Sequence, residues 1–107
     1  MNASPALSDT LPALDLASLT AEDFNQHVGQ TYALRQTGND IMLQLASVKT
    51  WGRGKRQPFT LTFHGPFRPI LPQSIYTLEN HSHGRVSIFI VPIGANESGM
   101  QYEAVFS

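Results

Sequence analysis

From Thr31 onward the chain alternates between apolar and polar positions with a period of two. "TYALRQ" alternates, and "IMLQLASVKT" sets Ile41, Leu43, Leu45 and Ser47 on one face and Met42, Gln44, Ala46 and Val48 on the other. "PFTLTF" opposes Phe59, Leu61 and Phe63 to Thr60 and Thr62, and "SIYTLE" opposes Ile75, Thr77 and Glu79 to Tyr76 and Leu78. "RVSIFIVPI" is an apolar run suited to burial on both faces, and "QYEAVF" sets Tyr102, Ala104 and Phe106 against Glu103 and Val105. Successive side chains of a strand point to opposite faces, so this period predicts six strands. The stretches between them, "QTGND", "WGRGKRQP", "HGPFRPILPQ", "NHSHG" and "GANESGM", carry the Gly, Pro and Asn residues of chain reversals. Hairpin-length loops favour antiparallel pairing. The predicted fold is therefore all-β: a six-stranded antiparallel sandwich or partly open barrel with one short N-terminal helix.

The helix signal lies in "SLTAEDFNQHVG". Thr20 can cap its start with Asp23 three residues on, a variant of the capping box, and Glu22 and Asp23 favour the positive end of the helix. Gly29 ends it, Phe24 and Val28 share a face by their spacing of four, and His27 falls beside the C-terminus, where a cation is favoured and a structural role is expected. Before the helix, residues 1–18 mix Ala, Ser, Pro, Asp and Leu without a sustained period and read as an arm, with residues 19–107 as a single β domain. Burying Leu7, Leu11, Leu14, Leu16 and Leu19 returns less free energy than ordering such an arm costs. Backbone pairing with a sheet edge, or packing on a partner, has to supply the difference.

Composition narrows the chemistry. There is no cysteine, which excludes disulfides, thiolate nucleophiles and cysteine–zinc sites. Charged residues are only 14% of the chain, so much of the surface is neutral, as in proteins that pack against partners. The net charge of −1 is uneven: residues 1–29 hold four acids and no Lys or Arg, while the seven basic residues all follow. Asp9, Pro12 and Asp15 interrupt the amino end before it reaches signal-peptide length, and no segment reaches the roughly 20 apolar residues of a membrane span. A cytoplasmic location is the default expectation, with signal-independent export also compatible.

Three places merit weighing for chemistry. Glu79, His81 and His83 have a strand's same-face spacing and so form a weak metal candidate, but Asn80, Ser82 and Gly84 read as a turn that exposes both histidines. His64 ends a strand beside Gly65 and Pro66, yet no serine elbow, H-E-x-x-H or carboxylate pair accompanies it, so no catalytic residue and no cofactor is assigned. "KTWGRGKR" is the basic cluster: Trp51 can stack on a sugar or base, and Arg53, Lys55 and Arg56 can grip an anion. The overall negative charge argues against nucleic acid, leaving a protein or glycan contact through Trp51 or a solvated hairpin tip. In "GPFRPILPQ", Pro66, Pro69 and Pro72 stiffen a crossover from which Phe67, Ile70 and Leu71 can tuck into the core and Arg68 can pair with Glu79 or Glu103.

"PFTLTFHGP" from Pro58, "LPQSIYTLE" from Leu71, "GRVSIFIVPIG" from Gly84 and "YEAVF" from Tyr102, with a weaker match in "LTAEDFNQHVGQTYAL", resemble a family of small bacterial proteins classed as a domain of unknown function. The resemblance spans about residues 19 to 106 and implies a compact β domain in small stand-alone proteins. It supplies no activity or catalytic residue. In the family pattern a histidine follows the Glu at the turn, where this chain has Asn80, and other residues stand at His81 and His83.

The expectation is a non-enzymatic interaction module that assembles with its own copies or other protein subunits through Leu7, Leu11, Leu14 and Leu16 of the arm and a sheet edge. The alternatives are a glycan- or ligand-binding domain using Trp51, Tyr76 or His64, and a metal-dependent enzyme built on the histidines.

Overall fold

The structure is a computed structural model describing residues 11–35, 39–52 and 57–107. Six antiparallel strands follow one short helix, α1 (Ala21–Asn25). The strands are β1 (Thr31–Leu34), β2 (Ile41–Thr50), β3 (Phe59–Gly65), β4 (Ser74–Asn80), β5 (Gly84–Asn96) and β6 (Gly99–Phe106). They join in the order β1-β2-β3-β6-β5-β4, and β4 pairs back onto β1 through Ala33↔Glu79 and Leu34↔Leu78, so the sheet closes into a barrel. Closure leaves no full-length free edge.

The inner faces follow the period of two. Ile41, Leu43 and Leu45, then Phe59, Leu61 and Phe63, and Tyr102 and Ala104 are buried, as their alternation requires. A bulge in β2 between Leu45 and Ser47 breaks its phase, leaving Ala46, Ser47 and Val48 all half-buried. In β5 the run expected to be buried on both faces alternates instead: Val86, Ile88 and Ile90 point inward while Ser87 and Phe89 are exposed. A closed barrel has a single interior, and among the described residues no second layer covers the outside of β5.

Thr20 caps α1 through the box read from the sequence: its Oγ1 accepts from the Asp23 N–H at 3.3 Å, and the Asp23 carboxylate accepts from the Thr20 N–H at 2.8 Å. Phe24 drops into the barrel mouth against Phe59 and Phe106. Val28 does not share that face, because α1 ends at Asn25 and the following turn carries Val28 into solvent. The crossover after β3 is likewise only partly inward. Leu71 is buried and its N–H donates to the Tyr102 hydroxyl at 3.0 Å, whereas Phe67 and Ile70, expected in the core, are exposed.

Of the arm, residues 12–14 lie along β5 of their own chain. Leu14 N–H donates to Arg85 O and Arg85 N–H to Pro12 O, both at 2.8 Å, forming a short parallel bridge at Ala13↔Arg85. The chain then turns through a 3₁₀ turn at Leu16–Ser18, with the Asp15 side chain accepting from the Ala17 N–H. Backbone pairing with a sheet thus helps hold residues 12–14, and the sheet is their own.

Candidate functional site

Two regions hold the residues that the sequence singles out for chemistry, and the structure adds a third. Trp51 lies just past the end of β2, 48% exposed, and its indole N–H donates to Thr60 Oγ1 at 3.2 Å. Arg53, Lys55 and Arg56 lie outside the described residues, as does Leu7. Tyr76 is on β4, which is not a neighbour of β2, and its hydroxyl is occupied in donating to Pro72 O at 2.6 Å. Burial, with the Tyr102 phenol adding to it, pushes the Tyr76 hydroxyl above its ordinary pKa. Trp51 and Tyr76 are therefore not brought together, and His64 on β3 pairs across the sheet with Gln44 and Gln101.

The metal candidate separates into three roles. Glu79 is 3% exposed and accepts from Arg35 Nε at 3.2 Å, while Arg35 also reaches Asp40. Arg35 thus takes the place suggested for Arg68. His81 is exposed at the turn. His83, expected to be exposed beside it, turns inward. Asn80 Oδ1 accepts from the N–H groups of Ser82 and His83, which rotates the His83 ring onto α1 and β1. No cluster of three metal-ligating side chains occurs among the described residues.

The inward cluster has a defined geometry. The rings of His27 and His83 stack with centroids 4.3 Å apart and planes 19° from parallel, and Phe24 meets His83 edge-on at 4.9 Å. His83 Nδ1 lies 2.6 Å from the Tyr32 hydroxyl, and His27 Nδ1 lies 3.0 Å from Gln30 Oε1. Burial raises the Tyr32 pKa well above its ordinary value. Burial, reinforced by the neighbouring His27, lowers that of His83 against the opposing pull of Asp23.

The third region is one the sequence pattern did not mark. Ile75 and Phe89 stand directly opposite each other on β4 and β5 and are 67% and 50% exposed. Val105 on β6, 55% exposed, lines a cavity of about 160 Å³ together with Phe89 and with Leu16 of the 3₁₀ turn. The pairing of β5 with β6 is in register at Val91↔Glu103 and Pro92↔Tyr102 and does not extend to Phe89 and Val105. The barrel wall is consequently parted at this point, with an apolar row on its lips. Arg85 N–H and C=O both face the arm, so by the alternation of a strand those of Ser87 and Phe89 face the parted seam. Leu16 and Phe106 also line a second cavity of about 450 Å³ with Ala17, Gln57, Pro58, Phe59 and Ser107. The signal that marks Phe89 is its odd position between Ile88 and Ile90, legible only if β5 is read as one-sided.

Fold and surface define a small, closed, antiparallel β barrel with a helix in its mouth and an exposed apolar row along a parted seam. Over residues 19–106 the chain matches the family described as "Domain of unknown function (DUF6916)", and it belongs to that family. No curated protein and no solved structure matches it.

Proposed function

We propose that this protein is a non-enzymatic interaction module that assembles with further copies of itself through the seam face formed by Leu16, Ile75, Phe89 and Val105. The observation that carries this reading is the outward row Ile75–Phe89–Val105 beside the parted β5–β6 seam. Apolar side chains grouped on the outside of a sheet are a feature of interaction surfaces. The seam-facing backbone of Ser87 and Phe89 gives such a surface a way to extend pairing across a partner. Surface chemistry supports a second copy as the partner: Leu16, Ile75, Phe89 and Val105 are all uncharged, so two copies bring the row together apolar against apolar. Leu16 gives the arm its share in the surface, whereas Leu14 is spent on its own barrel.

The test is native mass by light scattering after size exclusion, with electron microscopy of the same sample. The full chain should run as an oligomer or filament, and the Phe89→Glu/Val105→Glu and Leu16→Glu variants should run as monomers with an unchanged circular dichroism spectrum. A full chain that stays monomeric at the highest attainable concentration refutes the reading.

A ligand-binding role is favoured by one observation, the cavity of about 450 Å³ beside the stacked Phe59 and Phe106 rings, whose size falls in the range of small-molecule pockets. A monomeric protein whose Phe59 and Phe106 resonances shift with an aromatic ligand would favour this second reading.

A further inference from the structure

The stacked histidines are not used by the seam face, and they tie two parts of the chain together. His27 follows α1, and His83 sits in the turn before β5. Gln30 Oε1 can only accept, so His27 Nδ1 carries a proton; the same oxygen accepts from Asn80 Nδ2 at 3.2 Å. The Tyr32 phenol, raised by burial, stays protonated. If it donates to His83 Nδ1, the proton of neutral His83 sits on Nε2; if Nδ1–H donates to the phenol oxygen, Nε2 is bare. His83 Nε2 is buried without a hydrogen-bond partner among the described residues. In either arrangement one further proton creates an imidazolium with an unpaired N–H against a second imidazole and the Phe24 ring.

The titratable and charged groups on the surrounding elements are Glu22, Asp23 and His27 around α1, Tyr32 on β1, Glu79 on β4, His81 in the turn and Arg85 on β5. Glu79 is held by Arg35. Asp23 is the group whose charge favours the His83 cation, but its carboxylate already accepts from the Thr20 N–H, and burial and His27 outweigh it.

We propose that the His27–His83 stack is an acid-operated latch: it holds residues 19–28 over the barrel mouth at neutral pH and releases them when His83 takes up a proton. The sign follows from linkage. The His83 pKa is lowered in the closed state, so the open state binds the proton more tightly. Closure is fully favoured above the ordinary histidine value of about 6.5 and weakens as pH falls through it toward the closed-state value, below which it is flat. Release would uncover Leu19 and Phe24 and the Phe59 and Phe106 rings beneath them. The break falls before Gly29, because Gly29 N–H and Gln30 O are hydrogen-bonded to Leu45 of β2 and remain with the barrel.

Hydrogen exchange of the full chain, followed by NMR at about pH 7.5 and about pH 5.5 and corrected for intrinsic rates, tests this. The amides of Asp23 and His27 should lose protection relative to β3 and β6 amides, by no more than about tenfold, the limit that one proton binding to an ordinary imidazole sets over this pH range. His27→Gln keeps a donor for Gln30 and removes the second imidazole, so it should weaken that dependence while the part due to burial of His83 remains. Imidazole ¹⁵N shifts of the unaltered protein give a readout that needs no variant. His83 taking up a proton with residues 19–28 still fully protected would overturn the latch, as would a pH dependence that persists unchanged in His27→Gln.

Discussion

Phe24 joins the N-terminal segment to the barrel, and truncating it is the direct measure of that joint. The ring is fully buried, tilted against Phe59 at 5.8 Å and Phe106 at 5.5 Å and edge-on to His83 at 4.9 Å. Phe24→Ala removes the ring from a packed site whose other walls are strand-borne and cannot collapse inward, so a loss of about 3–5 kcal/mol is expected. A chain of this size has a total stability of roughly 5–15 kcal/mol, so the variant should still fold. The size of the effect also depends on whether the segment unfolds with the barrel. If residues 19–28 detach on their own, the loss seen by the barrel is capped at the free energy of docking that segment. Urea unfolding followed by Trp51 fluorescence reports on the end of β2, and far-ultraviolet circular dichroism reports on the whole chain. A lower midpoint with an unchanged slope, the same by both probes, corresponds to one cooperative unit. A shift worth under about 1 kcal/mol by both probes would refute the view that Phe24 anchors the segment.

Two further substitutions probe the polar interior. Tyr102→Phe leaves the buried Leu71 N–H without its acceptor and should cost about 1–3 kcal/mol in urea unfolding, with increased exchange of the residue 66–73 amides. Arg35→Ala strips the partner from buried Glu79; because Arg35 is itself 43% exposed and solvent reaches the pair, about 1–3 kcal/mol is expected rather than the roughly 3–5 kcal/mol of a fully enclosed pair. That loss should shrink in Arg35→Ala/Glu79→Gln, and a double variant no better than the single one would show that charge is not the cause.

Strand positions and the helix cap were legible because both are local. The Thr20–Asp23 box spans three residues, and the alternation in "PFTLTF" needs only a strand's own geometry to place Phe59, Leu61 and Phe63 inside. Turn chemistry was local too, as with Asn96 Oδ1 accepting from the Ser98 and Gly99 N–H groups. The misreadings concern neighbours distant in sequence. An all-apolar run such as "IFIV" has the same composition whether one face or two are covered, and among the described residues no second layer lies over Phe89. Hydrophobicity alone lets Phe67 and Ile70 turn inward as readily as Leu71, while the Leu71–Tyr102 hydrogen bond fixes which residue of that crossover enters the core.

By itself the sequence determined six strands, a capped helix and an all-β architecture, since periods of two, caps and turns act over a few residues. Tertiary structure alone decided that β4 returns to β1 to close the barrel, that the wall parts beside Phe89 and Val105, and that His83 meets Tyr32 from 51 positions away. Those outcomes depend on which strand faces which and in what register. That is a property of the closed ring as a whole, which no single stretch of the chain encodes.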